Sequence, residues 1–193
     1  MTLFLNADVG AWQTALAAYP AAIAAHPVAR LAELDTWYRE TLPPRIRARA
    51  PMSITHEEMV RVTEWKMARG VWRAPNLVKV KANTPDAVDA AGRAAASQLD
   101  VANKAVGALC ELDGVGPATA SAVLAIMAPQ RYPFFDEDVA KQVATLGPVA
   151  WTLAYYRKYA DALVARADAL GQDWTAVMVE RALWATARQT ATG

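Results

Sequence analysis

Apolar residues recur along this chain at helical spacing. Residues 11–25 and 28–41 carry them at three- and four-residue intervals, punctuated by Pro20 and Pro27. The Pro43-Pro44 pair and Pro51 predict a connector that carries the run Arg45-Ile46-Arg47-Ala48-Arg49. A helix then opens with full signals: Thr55 as N-cap, Glu58 as its capping-box partner, and Ile54 with Met59 as a hydrophobic staple. Gly70 suits its end. Thr84 caps the next helix, with Pro85 at its first position. Further helices are expected at 101–111, 117–127, 137–146, 151–169 and 174–190. The chain lacks an alternating strand pattern and an internal repeat, so the predicted fold class is all-α, with roughly eight to ten helices.

Composition adds a core to that picture. With 54% hydrophobic residues and seven tryptophans spread from Trp12 to Trp184, the chain can pack throughout its 193 residues, as one domain of two lobes. A single cysteine, Cys110, excludes an internal disulfide and a four-cysteine zinc or iron–sulfur site. His26 and His56 have no partners visible in the sequence, and Met67, Met127 and Met178 read as core filler. The first ten residues have neither the basic start nor the apolar stretch of a secretory signal. No apolar run approaches the ~18 residues that span a bilayer. These features lead us to expect an intracellular protein without a membrane, in the cytoplasm or nucleoid, or in the nucleus of a eukaryote.

Charge matters through its distribution. Nine basic residues (Arg45, Arg47, Arg49, Arg61, Lys66, Arg69, Arg73, Lys79 and Lys81) stand among three acids, so this segment carries +6 and the remainder −5 of a net +1. Such a stretch beside a neutral bulk suits a surface that meets phosphates on one side, or simply a solvated helix face. The Tyr155-Tyr156-Arg157-Lys158-Tyr159 run has the same two readings, and there the packing helix with a basic edge is the better one.

The most informative segment is Leu112-Asp113-Gly114-Val115-Gly116-Pro117-Ala118-Thr119-Ala120. A helix with Val106, Leu109 and Leu112 on one side enters it, and one with Ala120, Val123, Leu124 and Met127 leaves it. Two glycines flank Val115, which is expected to pack inward. Glycine permits positive φ and close approach of a phosphate to the main chain. Pro117 costs nothing in the first turn of the new helix. The free amides and dipole of that helix start can hold a backbone phosphate, which positions a duplex without reading bases. A plain packing corner is the alternative.

This string resembles the helix-hairpin-helix of the endonuclease III-type DNA glycosylase superfamily. The resemblance extends to Phe134-Phe135-Asp136-Glu137-Asp138-Val139, where an ungapped count from Gly114 puts Asp136 at the family's catalytic position and Asp138 at that of a frequent histidine. It is fainter at Ala82-Asn83-Thr84-Pro85-Asp86-Ala87, similar to the family's capped helix start. The resemblance implies a partner, double-stranded DNA, and an activity, release of a damaged base. An ionised Asp136 would support the positive charge that builds on the sugar and orient water. The base must leave the stack for a pocket, and Trp65, Trp72, Phe134 and Phe135 are the candidate walls. Leu112, Gly114, Val115, Gly116, Ala118 and Thr119 would meet the duplex, with Arg45, Arg47, Arg49, Lys66, Arg69 and Arg73 on its phosphates.

The departures shape the expected chemistry. Strand-cleaving members use a hairpin lysine where this chain has Ala118, so the implied glycosylase is monofunctional and hydrolytic. The cluster cysteines are missing, so no iron–sulfur cluster and no cofactor is expected; a monovalent cation at the hairpin would be compatible. The stretch from Pro85 to Gly114 is shorter than in typical members, as though a helix pair were trimmed. Asp136 also suits the plain role of helix cap, in which case Glu137 or Asp138 could carry the acid function. A non-catalytic DNA-binding or damage-recognition protein is the alternative, and a scaffold without nucleic acid is a third; the oligomeric state is left open, with a monomer favoured.

Overall fold

The computed structural model describes residues 2–191, with side chains through residue 189. It is all-helical, with no strand among the described residues. The order is α1 (Val9–Ala17), α2 (Tyr19–Ala24), α3 (Leu31–Thr36), α4 (Leu42–Arg47), α5 (His56–Arg69), α6 (Ala74–Ala82) and α7 (Pro85–Ala96). There follow α8 (Ala102–Cys110), α9 (Pro117–Met127), α10 (Glu137–Ala140), α11 (Leu153–Leu170) and α12 (Ala176–Ala191). Helix α5 opens with the predicted capping box, Thr55 and Glu58 bonding each other's main chain, above buried Ile54 and Met59. Thr84 caps α7 by accepting from Ala87 N at 3.2 Å.

Three stretches differ from the sequence expectation. The Pro43-Pro44 pair is no connector. It lies in the first turn of α4, which continues from α3 through a π-helical stretch at Trp37–Thr41. Leu42 N–H bonds back to Trp37 O across that wide turn, and the two prolines that follow have no N–H to lose. Helix α6 was not anticipated; only Leu77 and Val80 of it are buried, too short a stripe to register as a period. Expected helix 137–146 stops at Ala140 and is followed by a 3₁₀ turn at Ala144–Leu146, ahead of Gly147.

One apolar core runs from Trp12 to Ala185. Helix α9 lies at its centre, with every residue from Ala118 to Met127 buried, and packs on α4, α5 and α8. Helix α12 gathers α1, α2, α10 and α11. Between these groups Trp65 stacks on Tyr38 with ring centres 3.7 Å apart. In α11, Tyr155, Tyr156 and Tyr159 face the core while Arg157 and Lys158 are exposed. No helix among the described residues is long and apolar enough to cross a membrane.

Candidate functional site

The hairpin between α8 and α9 is built by an inward Leu112 and Val115, both buried, and by clamping onto α6. Asn83, at the end of α6, accepts from Asp113 N and donates to Asp113 O, both at 2.9 Å. The two glycines differ in role. Gly114 has φ +76°, and a Cβ there would meet Asn76 O at 2.6 Å and Lys79 Cβ at 2.8 Å. It serves the turn and the approach of α6 rather than leaving main chain bare, a correction to the expectation that both glycines expose amides. Gly116 is extended, and a Cβ added to it meets nothing within 4 Å. Its successors open α9 without a side-chain cap, so no side chain satisfies the first-turn amides of Ala118 and Thr119. The carbonyls of Leu112, Asp113 and Gly116 already accept from Val115, Asn83 and Ala120.

A cleft of about 690 Å³ opens where α9 begins. Gly114, Gly116, Pro117, Ala118 and Thr119 line it from the hairpin, and Lys66, Arg69 and Arg73 from the end of α5 and beyond. Phe134, Phe135 and Asp136 line it from the segment before α10. That segment is pinned: Phe135 N donates to Ser121 Oγ (2.9 Å), and Tyr159 and Tyr156 donate to the carbonyls of Phe134 (2.7 Å) and Pro133 (3.1 Å). Ser121 belongs to α9, so the hairpin helix itself sets where Asp136 stands.

Other predicted residues lie elsewhere. Arg45 and Arg47 are exposed on α4, outside the cleft lining. Arg49 is spent on Glu58, with contacts of 2.7 and 2.9 Å, and on Ser53 O at 3.0 Å. Trp65 is fully buried in the core, and Trp72, 50% exposed, is absent from the cleft lining. The basic run was therefore divided by the fold: Arg49 braces the cap of α5, and only Lys66, Arg69 and Arg73 reach the cleft.

Asp136 is both cap and cleft residue. Its Oδ1 accepts from Asp138 N (2.9 Å) and Val139 N (3.3 Å), which starts α10. Its Oδ2 stands 3.4 Å from Arg69 Nε. The residue is 8% exposed; burial raises the carboxyl above its ordinary value, while Arg69 and the capping amide of Val139 pull it down. With the folded value raised, the stability this group contributes is complete below the unfolded carboxylate value of about 3.9 and is lost as pH rises through the folded value. Asp136→Asn should remove that slope, so the stability difference between wild type and variant should change steadily with pH; denaturation of both proteins between about pH 4 and 8 checks this.

Behind Asp136 runs a buried chain of charges. Arg69 donates through Nη2 to Glu180 Oε1, both side chains fully buried. Glu180 Oε2 lies 3.9 Å from Arg39 Nη2, and Arg39 Nε lies 3.5 Å from Asp35 Oδ1. Asp35 in turn accepts from Tyr19 Oη and Trp65 Nε1, each at 2.8 Å. Aromatic rings sheath the chain, with Trp184 4.5 Å and Phe134 5.2 Å from the Arg69 guanidinium carbon. The sequence held a signal for this: Arg69 follows Val62 and Trp65 on a buried stripe, and Glu180 sits among buried Ala176, Val179 and Leu183. A charge placed on an apolar stripe is the mark of a buried ion pair.

Trp151, His26, Lys141 and Arg188, to which the sequence assigned no role in the site, also line the cleft. Trp151 is 48% exposed, with its ring centre 4.8 Å from that of Phe135, so an aromatic wall flanks Asp136. His26 Nδ1 accepts from Val28 N at 3.3 Å; burial, Arg188 and Arg69 lower its pKa, which favours the neutral ring. Each acid at the start of α10 has a cation: Arg69 for Asp136, Lys141 for Glu137 at 2.7 Å, and Arg188 for Asp138. Among the described residues Lys66 and Arg73 have no acidic partner within ion-pair distance. Burial and Arg73 lower the pKa of Lys66.

Comparison with known proteins gives no match to a family model, a curated protein or a solved structure.

Proposed function

We propose that this protein binds double-stranded DNA at the α9 end of the cleft and removes a damaged base hydrolytically, with Asp136 as the catalytic carboxylate. One observation carries the reading: the uncapped start of α9, two cations with no acidic partner among the described residues and a buried carboxylate all line the same cleft. A phosphate on the amides of Gly116, Ala118 and Thr119 gains the helix dipole and the charges of Lys66 and Arg73. The base enters between Phe134, Phe135 and Trp151, in a volume within the range of small-molecule sites. As the N-glycosidic bond breaks, positive charge grows on the sugar, and Asp136 supports it and orients the water that replaces the base. Ala118 supplies no amine at the hairpin, which favours hydrolysis over a covalent route there.

The test is a base-release screen on duplexes that carry alkylated, deaminated or oxidised bases. Release from one class is expected, with Asp136→Asn losing about 10²–10⁴-fold in rate while still binding. Lys66→Gln and Arg73→Gln should weaken duplex binding uniformly across sequences, each lowering its salt slope by about 1. Retained binding without release from any duplex supports a non-catalytic damage-recognition protein instead. Salt-independent or absent binding refutes both readings.

A further inference from the structure

Arg69 and Glu180 make a costly pair. Burying ions takes desolvation energy that their mutual attraction only partly returns, and apolar side chains of similar size hold a core at least as well. Arginine cannot shed its proton, so Arg69 needs negative charge wherever it is buried. It meets two carboxylates on the edge that Nε and Nη2 share: Glu180 accepts from Nη2, and Asp136 Oδ2 stands within ion-pair reach of Nε without a hydrogen bond. The rings of Trp184 and Phe134 hold its faces, which keeps it from turning away from either. Asp136 Oδ1 is committed to the amides of α10, and only Oδ2 meets Arg69.

We infer that Arg69 and Glu180 are positioning residues for Asp136: Glu180 anchors Arg69, whose guanidinium stands against Oδ2 and so sets the orientation and the charge balance of that carboxylate. This rests on the reading of Asp136 as the working acid of the cleft. The two variants of the pair then act in opposite directions. Arg69→Gln removes the main counterion of Asp136, so the carboxyl keeps its proton to higher pH. Glu180→Gln deletes a neighbouring negative charge and leaves Arg69 wholly to Asp136, so the proton leaves at lower pH. The other groups facing Asp136 are Arg188 on α12, Glu137 on α10 and Tyr159 on α11, and neither variant changes them. Facing Glu180 from the far side is Arg39, which stays in place. Mere loosening of the core would admit water and move both variants downward, toward an exposed carboxylate.

The experiment is an NMR titration of the full chain, following the Asp136 carboxyl carbon and the Arg69 Nε nitrogen. In wild type the Arg69 signal should move with the Asp136 midpoint. The midpoint should rise by about one pH unit or more in Arg69→Gln and fall in Glu180→Gln. An Arg69 signal that ignores the Asp136 titration, or a midpoint that moves the same way in both variants, overturns the inference. If a variant does not fold, the wild-type tracking decides. The same titration separates this inference from the functional reading. Opposite shifts without base release from any duplex leave the positioning intact and remove the glycosylase. An unresponsive Asp136 removes the positioning whatever the release screen gives.

Discussion

Arg69→Leu is expected to destabilise the protein by about 3–5 kcal/mol, because it leaves Glu180 and Asp136 buried without their shared cation. In a chain of this size that is a fall of roughly 6–20 °C in Tm. Both side chains of the Arg69–Glu180 pair are fully buried, so solvent does little to screen the loss. The companion result is more telling. Arg69→Leu with Glu180→Leu should be more stable than Arg69→Leu alone, since it removes the stranded acid and fills the space with apolar atoms. Urea denaturation of the two single variants and the double variant measures this. A double variant as unstable as the sum of the singles would mean that the two side chains do not act as a pair.

Gly114→Ala should cost roughly 2–5 kcal/mol, combining a positive φ that alanine resists with a Cβ driven into the main chain of α6. The obstacle is a carbonyl oxygen at 2.6 Å and the backbone nitrogen of Val80 at 3.0 Å, neither of which can swing aside. Gly116→Ala, two residues on, should change stability by less than about 0.5 kcal/mol, since its φ is ordinary and its Cβ finds open space. Thermal denaturation separates the two. Gly116 is thus the position at which to obstruct the cleft without disturbing the fold.

Much of the local architecture was legible in residue spacing. The α5 capping box and the Thr84 cap rest on contacts among residues a few positions apart, and spacing reports these directly; the α8–α9 turn was marked by its glycines and Pro117, though its clamp onto α6 was not. Helix α6 escaped because only two of its residues are buried. Pro43 and Pro44 misled because a wide helical turn ahead of them absorbed their missing donors.

The sequence by itself determined the helical class, where most helices begin, the hairpin turn and the acid that caps α10. Those follow from periodicity and from the needs of helix ends, which any helix meets within a turn of its own chain. Only the tertiary structure decided which charges meet. Arg69 and Glu180 are 111 residues apart, yet they form one buried pair. Arg49 was drawn to Glu58 while Lys66 and Arg73 were left facing the cleft. Likewise, two glycines alike in sequence parted company because α6 leans on one and nothing leans on the other. Charge has no period, and its partners are chosen by whichever helices the packing of apolar faces brings together.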